Sequence, residues 1–375
     1  MSSSEKILND TFHLVIFSNS PGEISSWVLP IVKTFKKNQA YSFITVLLTP
    51  CDYSTGNEFS LLNDNKHIDQ VFSPKDTMDF VLFKKKFETL YSRGAILYLG
   101  GDSLYPQLFS LRLPYSVYGY TEHKKKLGFL YKKTFFKHID GDLMSSAISH
   151  KTFVKSNILK KYKLTNKEYC LFMPGSRPKH FHLFIPLICD TVKLIKQENP
   201  NFNVIISVSP FITQHDLDQV QLKYDFTDIH LIKGDSLELM KLSKLMISLP
   251  GTNTAQAMYM NLPLLMVLPL NNTEQFVFDG LAQLLFKLPL IGPFLRYILI
   301  KILLIKKPLL ALPNIMAKKE IVPEVISYFT PSHFKNVILN LYYDEKKLQL
   351  IKNNYKQFNI IAQIDQKICS YLIDH

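Results

Sequence analysis

The chain is short of cysteine and charge, and it lacks any clean apolar run long enough for a membrane span. Its four cysteines (Cys51, Cys170, Cys189, Cys369) lie far apart with no CxxC pair, which speaks against a zinc site or a disulfide framework and favours a reducing compartment. Only 20% of its 375 residues are charged while 47% are hydrophobic, which excludes wholesale disorder and suits two α/β cores. The opening MSSSEKILNDTF has no apolar core and so does not read as a secretory signal; a cytoplasmic protein is expected. No short-period repeat and no low-complexity tract is present.

The greasiest stretch, Leu281 to Leu312, is interrupted by Lys287, Arg296, Lys301, Lys306 and Lys307 and broken early by Pro289 and Pro293. A span requires about 20 uninterrupted apolar residues. The stretch therefore reads as a basic, amphipathic segment lying on a membrane surface, with Arg296, Lys301, Lys306 and Lys307 toward the lipid. A buried helix pair with solvated lysines is the plainer alternative.

Charge is present mainly with one sign. Lysine and arginine number 44 against 31 acidic residues, a formal charge of +13. Nucleic acid, an anionic membrane face and a phosphorylated substrate are all electrostatically compatible with it. The lysines are spread over many helices without a nucleic-acid motif, so nucleic acid is the least favoured of the three.

Apolar runs of strand length alternate with helical stretches: 12–18, 43–49, 95–100 and 113–118 in the first part of the chain, with a helix from Ser25 to about Lys37. After the Lys-rich connection 155–169 the pattern restarts at CLFMPGSRP, with a helix over about 180–197 and strands near 203–209, 229–233, 244–251 and 263–269. This predicts two doubly wound, Rossmann-like α/β domains of GT-B type with a cleft between them. The expected divisions are 1–162, 163–345 and a terminal helical stretch, 346–375, that braces the first domain.

Glycine-bearing loops fall where strands end and helices begin, the place at which open α/β sheets bind ligands. In MPGSRPKH, Gly175 permits close backbone approach, and Ser176 and Arg177 suit a diphosphate at a helix N-terminus. In SLPGTNTAQA, Gly251, Thr252, Asn253 and Thr254 suit either phosphate oxygens or helix capping. SNSPGEISSW places Gly22, Glu23 and Ser25 at the start of the first helix, where Glu23 also fits a purely structural role. Asp102 follows a glycine pair at a strand tip, as a cleft-facing carboxylate or a cap, and ALPNIMAKKEIVPEV carries Asn314 and Glu320.

In order and spacing these stretches resemble the lipid-A-disaccharide synthase family, whose motifs are met at Gly22–Glu23–Ser25, Gly100–Gly101–Asp102, Met173–Arg177, Gly251–Thr252–Thr254 and Leu312–Glu324. Departures are Trp27 for an Asp, Tyr105-Pro106-Gln107 after the aspartate, Gln256 for a Glu and Lys318-Lys319 for a Gly-Arg pair. The resemblance implies an inverting transfer of diacylglucosamine from UDP to the 6-hydroxyl of a phosphorylated diacylglucosamine, with no bound metal and no cofactor. It implies Asp102 as base or acceptor orienter and Arg177 as diphosphate ligand. Gly175, Ser176, the 251–254 loop, Asn314 and Glu320 would line the UDP site. A lipid acceptor and a UDP-sugar donor imply a peripheral protein on the anionic inner face of the inner membrane, and a homodimer is left open. Another UDP-dependent transferase with a different lipid acceptor, a UDP-sugar epimerase, and a non-catalytic membrane-surface protein on the same fold stay as alternatives.

Overall fold

The computed structural model describes residues 10–51, 56–83, 87, 91–271, 298, 301–302, 305–306, 308–358 and 363–375. The chain divides into two compact units, Met1–Lys151 with Ile360–His375, and Thr152–Asn359.

The first unit is built on β1 (Phe12–Ser18), β2 (Ser42–Leu48), β3 (Gln70–Phe72), β4 (Arg93–Tyr98), β5 (Ser116–Thr121) and β6 (Tyr131–Phe136), and the second on β7 (Tyr169–Met173), β8 (Asn203–Val208), β9 (Ile229–Lys233), β10 (Ser243–Ser248), β11 (Leu264–Pro269) and β12 (Glu324–Ser327). Each set forms one sheet, β3-β2-β1-β4-β5-β6 and β12-β11-β10-β7-β8-β9. Every pairing in both is parallel. Renumbered from its own first strand, the second sheet has the same order as the first: two doubly wound, Rossmann-like halves of GT-B type.

Central strands explain why the apolar runs were continuous rather than alternating. All seven residues of β1 and all five of β7 are buried, as happens when helices cover both faces of a parallel sheet. The edge strands β3, β6, β9 and β12 escape that pattern. Only three residues long, β3 carries too little apolar signal, and in β6 Lys132 and Lys133 face solvent.

The helices that matter below are α1 (Leu29–Asn38), α2 (Leu104–Ser110), α3 (Leu143–Ser149), α4 (Lys155–Tyr162), α5 (Pro178–Glu198), α6 (Ser236–Leu242), α7 (Thr252–Tyr259), α8 (Leu312–Ala317), α9 (Glu345–Tyr355) and α10 (Ile364–Asp374). The division at Lys151 falls ahead of the expected boundary at 162 because α4 is held by α6 in the second unit. There the Tyr162 hydroxyl and Lys161 Nζ both donate to Glu238 at 2.6 Å, and the same hydroxyl accepts from the Asp235 amide at 3.1 Å. The expected terminal stretch also splits, with α9 in the second unit and α10 in the first.

Amphipathic spacing fixes α10 on α1 and α3: Ile364, Ile368, Cys369 and Leu372 are buried on one face. Asp365, 1% exposed, lies in that face and accepts hydrogen bonds from Thr34 Oγ1 (2.6 Å) and Ser146 Oγ, with His150 Nε2 at 3.2 Å. Burial alone would raise its pKa. The bonds from Ser146 and Thr34 and the His150 charge outweigh that and hold the carboxyl below its usual range.

Of the basic residues expected at a membrane, Arg296 and Lys307, with most of 281–307, lie outside the described residues, whereas Lys301 and Lys306 are exposed on helical residues. No helix among the described residues is long and apolar enough to cross a membrane.

Candidate functional site

In each sheet the strand order reverses between two adjacent strands, β1 and β4 in one and β7 and β10 in the other. Ligands of open α/β sheets bind beyond the carboxyl ends of such strands. The loops singled out from the sequence follow these strands: Asn19–Glu23 after β1, Leu99–Ser103 after β4, Pro174–Arg177 after β7 and Leu249–Gly251 after β10.

In the first unit the turn at Pro21 starts with a capping box. The Glu23 amide donates to Ser20 Oγ (3.4 Å) and the Ser20 amide to Glu23 Oε2 (3.2 Å). The Glu23 carboxylate then rests against the next loop. A Cβ on Gly100 would lie 2.0 Å from Glu23 Oε2, and Gly100 has φ +148°, so only glycine fits there. Burial raises the Glu23 pKa above the usual carboxylate range; the Ser20 and Asn19 bonds oppose this, and the Glu122 charge adds to it. The Tyr98 hydroxyl donates to Gly101 O at 2.7 Å, and its pKa is pushed up by burial and by the charges of Glu23 and Asp102. Glu23, Asp102 and Tyr98 thus share one end of the sheet. Ser25 is turned the other way: its Oγ donates to Pro21 O (2.9 Å) and Gly22 O (3.2 Å), closing its own helical turn.

Asp102 is exposed, and its Oδ1 accepts from the Leu104 amide at 2.9 Å, just ahead of α2. That bond is of the capping kind and engages one carboxylate oxygen. Glu122 and Asp142 sandwich Lys137 at 2.6 and 3.0 Å.

In the second unit Gly175 takes φ +101°, which turns the chain from β7 into α5. Arg177 is the N-cap residue of α5, half-buried, with no side-chain cap bond, and Pro178 occupies the first helical turn. Ser176 is half-exposed beside it. One turn on, His180 is lowered to about 4 by burial and by the charges of Arg177 and Lys179, so it is neutral at pH 7. A mainly apolar pocket of about 190 Å³, lined by Leu183, Phe184, Leu187, Leu249 and Pro269 among others, adjoins these turns.

At the start of α7, Gly251 is exposed and Thr252 and Asn253 are half-buried. Two residues expected to meet a ligand instead hold the scaffold. Thr254 is fully buried; its Oγ1 donates to Gly251 O (2.7 Å) and accepts from the Leu312 amide (3.0 Å). Asn314, also fully buried, donates to Val322 O (2.9 Å) and Glu324 Oε1 (2.6 Å) and accepts from the amides of Ile321 (2.7 Å) and Val322 (2.9 Å). Its hydrogen-bonding capacity is filled by its own chain. Glu324 completes the strut by accepting from the Leu310 and Ala311 amides at the start of α8, a role visible in the sequence only as the end of a motif. Glu320 is exposed on the loop that the strut shapes.

A profile of the lipid-A-disaccharide synthetase family matches residues 131–371, well over half of the chain. The chain belongs to this family. The match begins at β6, so the PGSR, 251–254 and 312–324 segments lie inside it and the Gly22 and Asp102 loops lie ahead of it. Lipid-A-disaccharide synthase 2 of Legionella pneumophila (strain Paris) is 25% identical over 204 residues, 52% of this chain and 46% of that protein. The lipid-A-disaccharide synthase of Saccharophagus degradans is 26% identical over 203 residues, 52% of this chain and 44% of that one. The chain spans about half the length of the curated relatives it matches. Among solved structures, Staphylococcus aureus MnaA with UDP superposes with a TM-score of 0.53 at 12% identity, covering 97% of each chain. The UDP-GlcNAc 2-epimerase of Neisseria meningitidis bound to UDP-GlcNAc gives 0.53 at 13% identity, covering 97% of this chain and 100% of that one. At such identities these likenesses show the fold alone.

Proposed function

We propose that this family member is an inverting glycosyltransferase that moves 2,3-diacylglucosamine from UDP to the hydroxyl of a diacylglucosamine 1-phosphate acceptor at a membrane surface. The observation that supports this reading is that glycine-bearing loops resembling the family's motifs follow the strands at both switch points: Arg177 and the start of α7 beyond β7 and β10, inside the family match, and Asp102 and Glu23 beyond β4 and β1, ahead of it. Arg177, Ser176 and the backbone at Gly175 hold the diphosphate, with Thr252 and Asn253 at the α7 N-terminus. Glu320 borders the same nucleotide, and Asn314 and Thr254 set the loop's shape.

In the reaction the acceptor oxygen attacks the anomeric carbon as the bond from that carbon to the UDP oxygen breaks. The acceptor proton passes to a carboxylate, and the charge left on UDP is met by Arg177. Asp102 is assigned as that proton acceptor, because it is exposed and, among the described residues, only its Oδ1 accepts a hydrogen bond, from the Leu104 amide. Glu23, half-buried and with a raised pKa, supports the loop from behind.

The test is to incubate wild type and Asp102→Asn with UDP-diacylglucosamine and diacylglucosamine 1-phosphate and to identify products by mass spectrometry. A disaccharide from wild type, slowed on the order of 100-fold or more in the variant at equal UDP affinity and melting temperature, is the expected result. A C2 epimer formed without acceptor would replace this reading with an epimerase. Full activity of the variant would return Asp102 to a capping role, since Asn caps about as well.

A further inference from the structure

Helix α2 starts two residues after Asp102 and carries Leu104, 53% exposed, while Leu111, 70% exposed, follows its last turn. The two are seven residues apart, a spacing that returns to the same helical face. Beside α2 runs the 122–130 loop, EHKKKLGFL, in which Phe129 has 91% of its surface exposed. A phenylalanine this exposed needs an explanation when its loop is well anchored. Ser103 Oγ donates to Leu127 O (3.2 Å), and Tyr131 at the far end donates its hydroxyl to Ser103 O (2.9 Å). Gln107 fills the space beside Gly128, where a Cβ would lie 2.2 Å from its Oε1. These ties hold Phe129 outward next to α2.

The charge around it is of one sign. From 122 to 133 the chain carries Lys124, Lys125, Lys126, Lys132 and Lys133 against the single carboxylate Glu122, which Lys137 engages. Lys124, Lys125 and Lys126 are exposed and make no ion pair among the described residues. An outward aromatic on a loop anchored to α2, exposed leucines at α2, and three lysines without an ion pair among the described residues match the two parts of an anionic bilayer surface, its acyl boundary and its phosphates.

We propose that the 122–130 loop and the exposed side of α2 dock on an anionic lipid surface, with Phe129 and Leu104 entering the acyl boundary and Lys124, Lys125 and Lys126 lying on the phosphates. Docking here sets the Asp102 loop beside the bilayer, and in that purpose the inference rests on the proposed lipid-dependent transfer. The binding event itself is measured without substrate, so the two ideas fail separately.

Phe129→Trp places a reporter at the tip; the single natural tryptophan, Trp27, is half-buried with its ring 5.3 Å from Tyr120 and serves as a constant background. Vesicles of phosphatidylcholine with phosphatidylglycerol should shift the emission of Phe129→Trp to the blue, and brominated acyl chains should quench it. Phosphatidylcholine alone should do neither at low salt. Phe129→Ser should weaken partitioning by about tenfold or more, the worth of withdrawing one large apolar side chain. Joint replacement of Lys124, Lys125 and Lys126 by Gln should weaken it on the order of 100-fold at low salt. Both variants should keep the wild-type melting temperature, because these side chains are exposed. An unshifted, unquenched Phe129→Trp on vesicles that sediment the protein would overturn the proposal, as would wild-type partitioning of Phe129→Ser. Loss of UDP binding or of transfer in the wild type, with the blue shift intact, would sink the proposed function and leave this surface standing.

Discussion

Asn314→Ala separates a scaffold from a ligand contact. The side chain is fully buried and makes four hydrogen bonds, to Val322 O, Glu324 Oε1 and the amides of Ile321 and Val322. Each contributes a net ~0.5–1.5 kcal/mol, and each buried partner left unpaired costs ~1–3 kcal/mol unless water reaches it. With water admitted to some of the partners, a loss of about 4 kcal/mol is expected, near the upper end for single substitutions. At roughly 2–4 °C per kcal/mol for a unit of this size, the melting temperature should fall by about 10 °C. Well below that temperature, UDP affinity measured by calorimetry should stay within a few-fold of wild type, because the amide has no hydrogen-bonding capacity left for a ligand. A variant as stable as wild type that no longer binds UDP would refute the reasoning and restore Asn314 to the nucleotide.

Gly100→Ala should destabilise by about 1–3 kcal/mol, since the new Cβ meets Glu23 Oε2 at 2.0 Å in a backbone conformation unsuited to L side chains. Gly251→Ala shares the φ but has no atom within 4 Å, so denaturant melts should show the smaller loss there; equal losses would remove the clash from the account. Asp365→Asn should lower stability at pH 7 by roughly 2–3 kcal/mol, as one of its hydroxyl donors then faces an amide NH2. Because the folded-state pKa of Asp365 is depressed, its carboxylate contributes stability above the ordinary value of 3.8 and loses it as pH falls through the folded value. The gap between wild type and variant should therefore close below about pH 4 in denaturation curves, and a gap that is constant with pH would refute the assignment.

The order of elements along this chain was legible because parallel strands covered on both faces read as continuous apolar runs, as β1, β4, β7 and β10 do. The loops that follow those strands were legible too, since glycine, hydroxyl and charged residues between a strand and a helix form a local pattern. Strands β3, β6 and β12 were not, because these edges are short or half-solvated and carry no such run, whereas the edge strand β9 kept a brief apolar signal in IHLIK. What the sequence could not decide is which polar residues of a motif face a ligand and which face their own chain. Asn314 and Thr254 look like ligand residues in one dimension and are buried struts in three, and Ser25 closes its own turn. Glu23 and Gly100 are 77 positions apart in the chain, yet the carboxylate occupies the space that the missing side chain leaves. Local chemistry places a residue on an element, whereas burial, pKa and hydrogen-bond partners depend on what the sheet brings beside it, and for Glu23, Asn314 and Asp365 only the tertiary structure settled that.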